Sequence, residues 1–237
     1  MKSITRVSKS GHRASINCID GTTIARSLIA TGSEDKTVRI WDIRADKAIK
    51  CITKCFESSV EAVKFGISDD YTIYAASDGV LFSFDLRTDG IIVKSPIMIA
   101  ENAATDDINC LDMSSDGNFI AVADDAGVIT IVNSRLLAAN NPKRLNGHTS
   151  IVNAVAFSPI NNCELMSGGF DYILNSWNLE TSTRVGNPAA SANLSKLGNE
   201  VNDGVSARSI NPPFIQDISY MCDGRALALA LGDGSVR

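Results

Sequence analysis

A short apolar pattern recurs five times along the chain of 237 residues. Each copy has an apolar residue, two further residues and a second apolar residue, and the copies start at positions 16, 60, 108, 152 and 215. The first four copies are spaced by 44, 48 and 44 residues, a period typical of the four-stranded repeats that form propeller blades. The fifth copy follows after 63 residues, which indicates an insertion.

Two more strand-like segments follow the start of each of the first four repeats, separated by turns that carry Asp or Gly. Alternating apolar residues between such turns predict short antiparallel β-strands rather than helices. The last segment ends on a bulky residue, 24 or 25 residues after the start of its repeat. These residues are Trp41, Phe84, Val132 and Trp177.

The charge and composition of the chain exclude several classes of function. The formal net charge is -5, so the chain has no excess of cations to replace the counterions of nucleic acid or of an anionic membrane surface. No apolar segment approaches the roughly 20 residues that cross a bilayer. The N-terminal residues lack the apolar segment of a secretory signal, and the six cysteines are not spaced as a disulfide framework. We therefore expect a cytoplasmic or nuclear protein that binds neither nucleic acid nor membranes.

Two of the repeats carry a more specific signal. Each has a Gly-His dipeptide near its start and a Trp followed by Asp or Asn near its end, and these dipeptides contain both histidines of the chain. They are Gly11-His12 with Trp41-Asp42, and Gly147-His148 with Trp177-Asn178. The repeats therefore resemble those of the WD40-repeat family. The resemblance implies an all-β fold, the WD40-type β-propeller, in which four-stranded blades, usually seven, form a ring.

The resemblance also implies a structural hydrogen-bond network inside a blade, made by a His, a Ser or Thr, an Asp in a turn, and the Trp. The residues at these positions are His12, Ser33, Asp35 and Trp41 in the first repeat, and His148, Asp171 and Trp177 in the fourth. The fourth repeat has Gly169 where the hydroxyl is expected, so its network is predicted to be incomplete. Such a network reduces the free-energy cost of burying polar groups and performs no chemistry.

The predicted organisation is a single partial propeller domain over residues 1–237. Residues 1–10 contain a candidate ring-closing strand at 3–7, and residues 11–180 hold four repeats. Residues 211–237 hold a fifth repeat, whose Trp position would fall at 239, so we expect an incomplete propeller with a truncated fifth repeat. Residues 181–210 are rich in Ser, Asn, Ala and Gly and are predicted to be a flexible insertion.

The third strand of the first repeat ends in Trp-Asp-Ile-Arg, and that of the second ends in Phe-Asp-Leu-Arg. In a subset of the WD40-repeat family, a Trp-Asp-x-Arg pattern docks the protein on the adaptor of cullin-4 ubiquitin ligases. Strand alternation predicts that Trp41 and Ile43 lie on one side and that Asp42 and Arg44 lie together on the other. The simpler alternative is a pair of solvated charges at a strand end. The candidate docking residues are Asp42, Arg44, Asp85 and Arg87.

No catalytic, metal-binding or cofactor-binding site is predicted. Nucleophilic catalysis of the Ser-His or Cys-His type needs a histidine in a cleft, but both histidines belong to the repeat pattern. Cys51 and Cys55 have no histidine or further cysteine close by in the sequence to complete a zinc site. Acidic pairs such as Asp69-Asp70 could hold calcium, but turn chemistry explains them more simply.

The sequence therefore predicts a non-catalytic scaffold for protein–protein interaction and not an enzyme. The finer hypothesis is a substrate receptor of a cullin-4 RING ubiquitin ligase, whose partners are the ligase adaptor and a substrate of unknown identity. The alternative is a structural subunit of another multiprotein complex, unrelated to ubiquitin.

Overall fold

The structure is a computed structural model that describes residues 11–22, 27–44, 47–67, 71–137, 142–181, 187–199 and 211–237. The chain divides into two compact units, Met1–Glu101 and Asn102–Arg237. The predicted ring-closing strand within residues 1–10 lies outside the described residues. The organisation as a single domain stays a prediction.

The first unit contains two sheets, which we call the first and second blades. The first blade has the strand order β1-β2-β3-β4-β8 and the second has the order β5-β6-β7-β9. All neighbouring strands are antiparallel except β4 and β8. The strands are β1 Ile16–Gly21, β2 Leu28–Ser33, β3 Thr37–Asp42, β4 Ala48–Ile52, β5 Ala62–Phe65, β6 Thr72–Ser77, β7 Val80–Asp85, β8 Ile92–Val93 and β9 Met98–Ala100.

The second unit contains the third blade, β10-β11-β12-β13, the fourth blade, β14-β15-β16-β17, and the pair β18-β19, all antiparallel. The all-β prediction is thereby confirmed. The strands are β10 Ile108–Met113, β11 Phe119–Asp124, β12 Val128–Asn133, β13 Lys143–Asn146, β14 Val152–Phe157, β15 Glu164–Gly169, β16 Ile173–Asn178, β17 Ala190–Asn193, β18 Ile215–Tyr220 and β19 Leu227–Leu231.

The predicted flexible insertion at 181–210 is wrong for residues 190–199. Residues Ala190–Asn193 form β17, the outer strand of the fourth blade, and Leu194–Asn199 form a short 3-10 helix. An outer strand needs only backbone hydrogen bonds along one edge, so a sequence of small and polar residues can form it. Leu194 follows directly and is buried in a cluster with Ile215, which fixes the end of the strand.

Neighbouring blades within each unit approach closely at a glycine of the second strand. A Cβ atom on Gly32 would lie 2.7 Å from Cγ1 of Val60, and one on Gly168 would lie 2.5 Å from Cγ2 of Ile215. Any larger residue would push these neighbours apart. Val60 and Ile215 are the first residues of their repeats, so the recurring pattern in the sequence marks the residue that packs on the preceding blade.

A chain of hydrogen bonds crosses the first blade. The Trp41 Nε1–H donates to Thr31 Oγ1 at 2.8 Å, and Thr31 Oγ1 lies 2.8 Å from His12 Nε2. The other ring nitrogen, His12 Nδ1, lies 3.0 Å from Asp35 Oδ2. Because the indole can only donate and the carboxylate can only accept, the Thr31 hydroxyl donates to Nε2 and Nδ1–H donates to Asp35 in the neutral ring.

The prediction of Ser33 as the hydroxyl of this network is wrong. Ser33 accepts the Asp35 backbone N–H at 3.1 Å and donates to Ala14 O at 3.5 Å, so it supports the turn and the segment before β1. Both hydroxyls belong to β2, two residues apart, but only Thr31 lies between the histidine and the indole.

The fourth blade repeats the network completely, which corrects the prediction that Gly169 would interrupt it. Ser167 Oγ accepts the Trp177 Nε1–H at 2.7 Å and lies 2.7 Å from His148 Nε2. His148 Nδ1 lies 3.0 Å from Asp171 Oδ2. The hydroxyl again lies ten residues before the tryptophan. Position 169 matches Ser33, which is outside the network in the first blade.

The second blade fills the same positions with apolar side chains. Phe84 lies where the first and fourth blades have the tryptophan, and Phe56 lies four residues before the start of its repeat, as His12 does. The two rings are edge-to-face with centroids 5.7 Å apart, and Phe56 also contacts Phe82 at 5.3 Å. Ala75 stands in the register position of Thr31. Because the histidine, hydroxyl and tryptophan positions are apolar together, none of these three side chains leaves a polar group of the network unsatisfied.

We expect Thr31→Val to lower the free energy of unfolding by about 1–3 kcal/mol, because it leaves the Trp41 N–H and the His12 Nε2 without their shared partner. Thr31→Ser keeps the hydroxyl and is the matched control, with a loss below about 1 kcal/mol. Urea denaturation followed by tryptophan fluorescence measures both. Equal losses in the two variants would contradict the assignment of Thr31.

Asp35 is held in its ionised form by the groups around it. Burial raises its pKa, but hydrogen bonds from the Thr37 hydroxyl, the Arg13 backbone N–H and the His12 ring outweigh burial and lower the pKa from 3.8 to about 2. In the fourth blade, burial likewise opposes the hydrogen bonds from His148 and the Thr149 backbone, and the pKa of Asp171 is lowered.

The stabilising contribution of Asp35 is therefore complete above pH 3.8, its ordinary pKa, and is lost as the pH falls through about 2. We expect Asp35→Asn to destabilise the protein at neutral pH, and the difference from wild type to shrink between about pH 4 and pH 2. Denaturant unfolding across this range measures the difference. A difference that stayed constant would show that the carboxylate charge contributes nothing.

Candidate docking surface

The candidate docking residues of the first blade lie in the turn between β3 and β4. Asp42 ends β3, and its Oδ1 accepts the backbone N–H of Arg44 at 2.9 Å, which closes the turn. The Ile43 N–H donates to Ser27 O at 3.0 Å. Strand β3 ends at Asp42, and the placement of Ile43 on the same side as Trp41 stays a prediction. Ile43 is 49% exposed.

The guanidinium of Arg44 folds back on the same carboxylate. Its Nε donates to Asp42 Oδ1 at 2.9 Å, and its Nη2 donates to Asp42 Oδ2 at 2.8 Å. This bidentate geometry fixes the plane of the guanidinium. The Arg44 side chain is 74% exposed and that of Asp42 is 21% exposed. The remaining N–H groups of the arginine therefore face solvent from a fixed position.

The second blade repeats this arrangement at the end of β7. Asp85 Oδ1 accepts the Arg87 backbone N–H at 2.8 Å, and Asp85 also accepts Nε at 2.9 Å and Nη2 at 2.6 Å. The Arg87 guanidinium carbon lies 5.4 Å from the centre of the Tyr71 ring, within the range of a cation–π contact. Arg87 is thus held by a carboxylate and by an aromatic ring.

The charges of these pairs are fixed by the hydrogen bonds within them. The side-chain and backbone hydrogen bonds from Arg44 lower the pKa of Asp42 to about 2, and those from Arg87 lower the pKa of Asp85. The hydrogen bond to Asp42 raises the pKa of Arg44. Each pair is therefore fully ionised at neutral pH. Exposed ion pairs of this kind contribute little to the free energy of folding. The stability of the fold therefore does not explain why two consecutive blades have the pair.

The third and fourth blades have the same turn without the ion pair. In each, an Asn ends the third strand, and its Oδ1 accepts the backbone N–H two residues later at 3.0 Å. An amide lacks the charge and the second acceptor oxygen that a bidentate arginine pair needs. The turns are Asn133 with Arg135, and Asn178 with Glu180.

The predicted site residues of the first blade belong to two regions. His12 and Asp35 lie near the start of β3, whereas Asp42 and Arg44 lie at its end, and Trp41 directly precedes them. Sequence reasoning missed Thr31 and its counterpart in the fourth blade. The signal that could have identified them is a hydroxyl residue ten positions before each of the two tryptophans.

Within the described parts of the chain, no group of three or more His, Cys, Asp or Glu side chains could hold a metal ion. No described helix has the length and apolar character to cross a membrane.

Comparison with known proteins identifies the class. Residues 3–42, 97–132 and 140–178 match the family described as WD domain, G-beta repeat. The four-stranded sheets and the two histidine–hydroxyl–tryptophan networks agree with this match. The chain belongs to the WD40-repeat family, and its fold class is the WD40-type β-propeller. Proteins of this family generally act as non-catalytic scaffolds for protein interactions.

The chain is similar to several curated members of the family. It is 28% identical to a WD repeat-containing protein 53 homolog of Dictyostelium discoideum, over 95% of this chain and 62% of that protein. It is 24% identical to cell division cycle 20.1, cofactor of APC complex, of Arabidopsis thaliana, over 65% of this chain and 33% of that protein. It is 30% identical to a p21-activated protein kinase-interacting protein 1-like of Danio rerio, over 37% of this chain and 24% of that protein. The chain thus spans at most 62% of these relatives.

Proposed function

We propose that this protein is a substrate receptor of a cullin-4 ubiquitin ligase and that it docks on the ligase adaptor through the β3–β4 and β7–β9 turns. The observation that carries the proposal is the repetition of one Asp–Arg arrangement in two consecutive blades. In both, a carboxylate holds the turn and the guanidinium together. The proposal extends the general role of the family as a scaffold to one partner.

Preorganisation supports this role. A free arginine loses rotamer freedom when it binds, and that loss opposes association. Here the intramolecular carboxylate already restricts Arg44 and Arg87, so less entropy remains to be lost. The Arg44 guanidinium uses Nε and Nη2 within its own turn, which leaves Nη1 and one N–H of Nη2 for a partner. Those groups fit a carboxylate or a backbone carbonyl at the surface of the partner.

A second candidate is a structural role in another multiprotein assembly. It is favoured by the similarity to a protein named as a cofactor of the APC complex. The same two turns would then contact a different partner with similar acceptor groups. Proximity labelling in cells separates the two: the second candidate requires repeated recovery of one complex that lacks the cullin-4 adaptor.

We expect Arg44→Ala combined with Arg87→Ala to weaken binding of the purified cullin-4 adaptor at least about tenfold. Arg44→Lys with Arg87→Lys should weaken it as well, because an ammonium cannot form the bidentate pair. Arg135→Ala is the matched control, since Arg135 occupies the equivalent turn of the third blade without a carboxylate partner at position 133.

Surface plasmon resonance with the full chain measures these affinities, and circular dichroism verifies that each variant is folded. Undiminished binding by the folded double alanine variant would refute docking through these arginines. An equal loss in Arg135→Ala would show that the effect is general to exposed positive charge.

A further inference from the structure

The connection between β7 and β9 leaves its own blade and joins the first blade. Residues 88–93, which we call the strap, contain β8, and β8 pairs with β4 in parallel. The Cys51 N–H donates to Ile91 O at 2.8 Å and the Thr53 N–H donates to Val93 O at 3.0 Å. The strap therefore supplies a fifth strand to the first blade, although it belongs in sequence to the second.

Lys50 forms hydrogen bonds with the beginning of the strap. Its Nζ donates to the backbone carbonyl of Thr88 and to that of Gly90, the latter at 2.6 Å. Gly90 has a φ of 83°, a left-handed conformation that lets the strap turn toward β4. A single ammonium group, which has three donors, thus joins two carbonyls of one short turn.

The strap connects the two candidate docking turns through the chain and through hydrogen bonds. Thr88 directly follows Arg87, and Lys50 belongs to β4, the strand that follows the Arg44 turn. Asp85 and Tyr71, which orient the Arg87 guanidinium, both belong to the second blade. The lysine and the β4–β8 pairing join the segment that follows Arg87 to the first blade.

We infer that Lys50 is a positioning residue of the docking surface: it holds the strap on β4 and thereby sets the spacing between Arg87 and Arg44. The inference rests on the proposed docking function. Two contacts on one partner reinforce each other only when their spacing matches, because the second contact then forms without a further loss of orientational freedom. A loose strap would leave each arginine intact but would impair their joint use.

Lys50→Met keeps the length of the side chain and removes the ammonium. Lys36→Met is the matched control, because Lys36 Nζ also donates to a backbone carbonyl, that of Glu57, at 2.6 Å. Lys36 directly precedes β3, whereas the Arg44 turn follows the end of β3. The length of this strand, about 20 Å, therefore separates the control residue from the docking surface.

We expect Lys50→Met to weaken binding of the purified cullin-4 adaptor about fivefold and Lys36→Met to leave binding unchanged. The effect of Lys50→Met should disappear in both an Arg87→Ala and an Arg44→Ala background, because a single remaining arginine has no second contact whose spacing matters. A general loss of stability would weaken binding equally in both backgrounds. Surface plasmon resonance with the full chain measures all of these variants.

Hydrogen exchange of the unbound protein tests the strap separately. Lys50→Met should accelerate exchange of the Cys51 and Thr53 amides, and Lys36→Met should not. Unchanged exchange at these amides would overturn the role of Lys50 in the strap. Faster exchange with unchanged affinity would overturn the positioning role while the proposed docking stands. If the wild type did not bind the adaptor, both proposals would fail.

Discussion

The blades of this protein depend on how the buried centre of each one satisfies its polar groups. In the first and fourth blades, the indole N–H must find an acceptor, because an unpaired buried donor costs about 1–3 kcal/mol. The hydroxyl of the second strand accepts the indole N–H and donates a hydrogen bond to the histidine, which in turn donates to an Asp in the next turn. One chain of bonds thereby joins the segment before the first strand to the second and third strands.

The other two blades meet the same requirement differently. The second uses Phe56, Phe82 and Phe84, so it contains no polar group at these positions. In the third, the fully buried Asp124 accepts the Thr105 backbone N–H at 2.9 Å and the Val128 N–H at 2.8 Å. The repeats tolerate loss of the His and Trp because their partners change with them. If only one residue of such a network were replaced, the blade would contain a buried polar group without a hydrogen-bond partner.

The turns after the third strands share one hydrogen bond and differ in the residue two positions after the Asp or Asn. All four use an Asp or Asn oxygen to accept the backbone N–H two residues later. This bond requires only a short polar side chain, so the residue two positions on is free to vary. Where Asp meets Arg, the turn also orients a guanidinium toward solvent. The structural role and the proposed recognition role thus share one carboxylate.

The sequence by itself determined that the repeats consist of β-strands, because alternating apolar residues and Asp or Gly turns act locally, and it determined the positions of the tryptophans and of the Asp–Arg turns. It could not choose between Thr31 and Ser33, since both are hydroxyls of one strand and the choice depends on where a distant histidine lies. It gave no sign of β8 or β17, whose short strands form only where another strand already offers an open edge. Only the tertiary structure brought the strap to Lys50, because residues 38 and 40 positions apart meet through packing of two blades and not through any local preference.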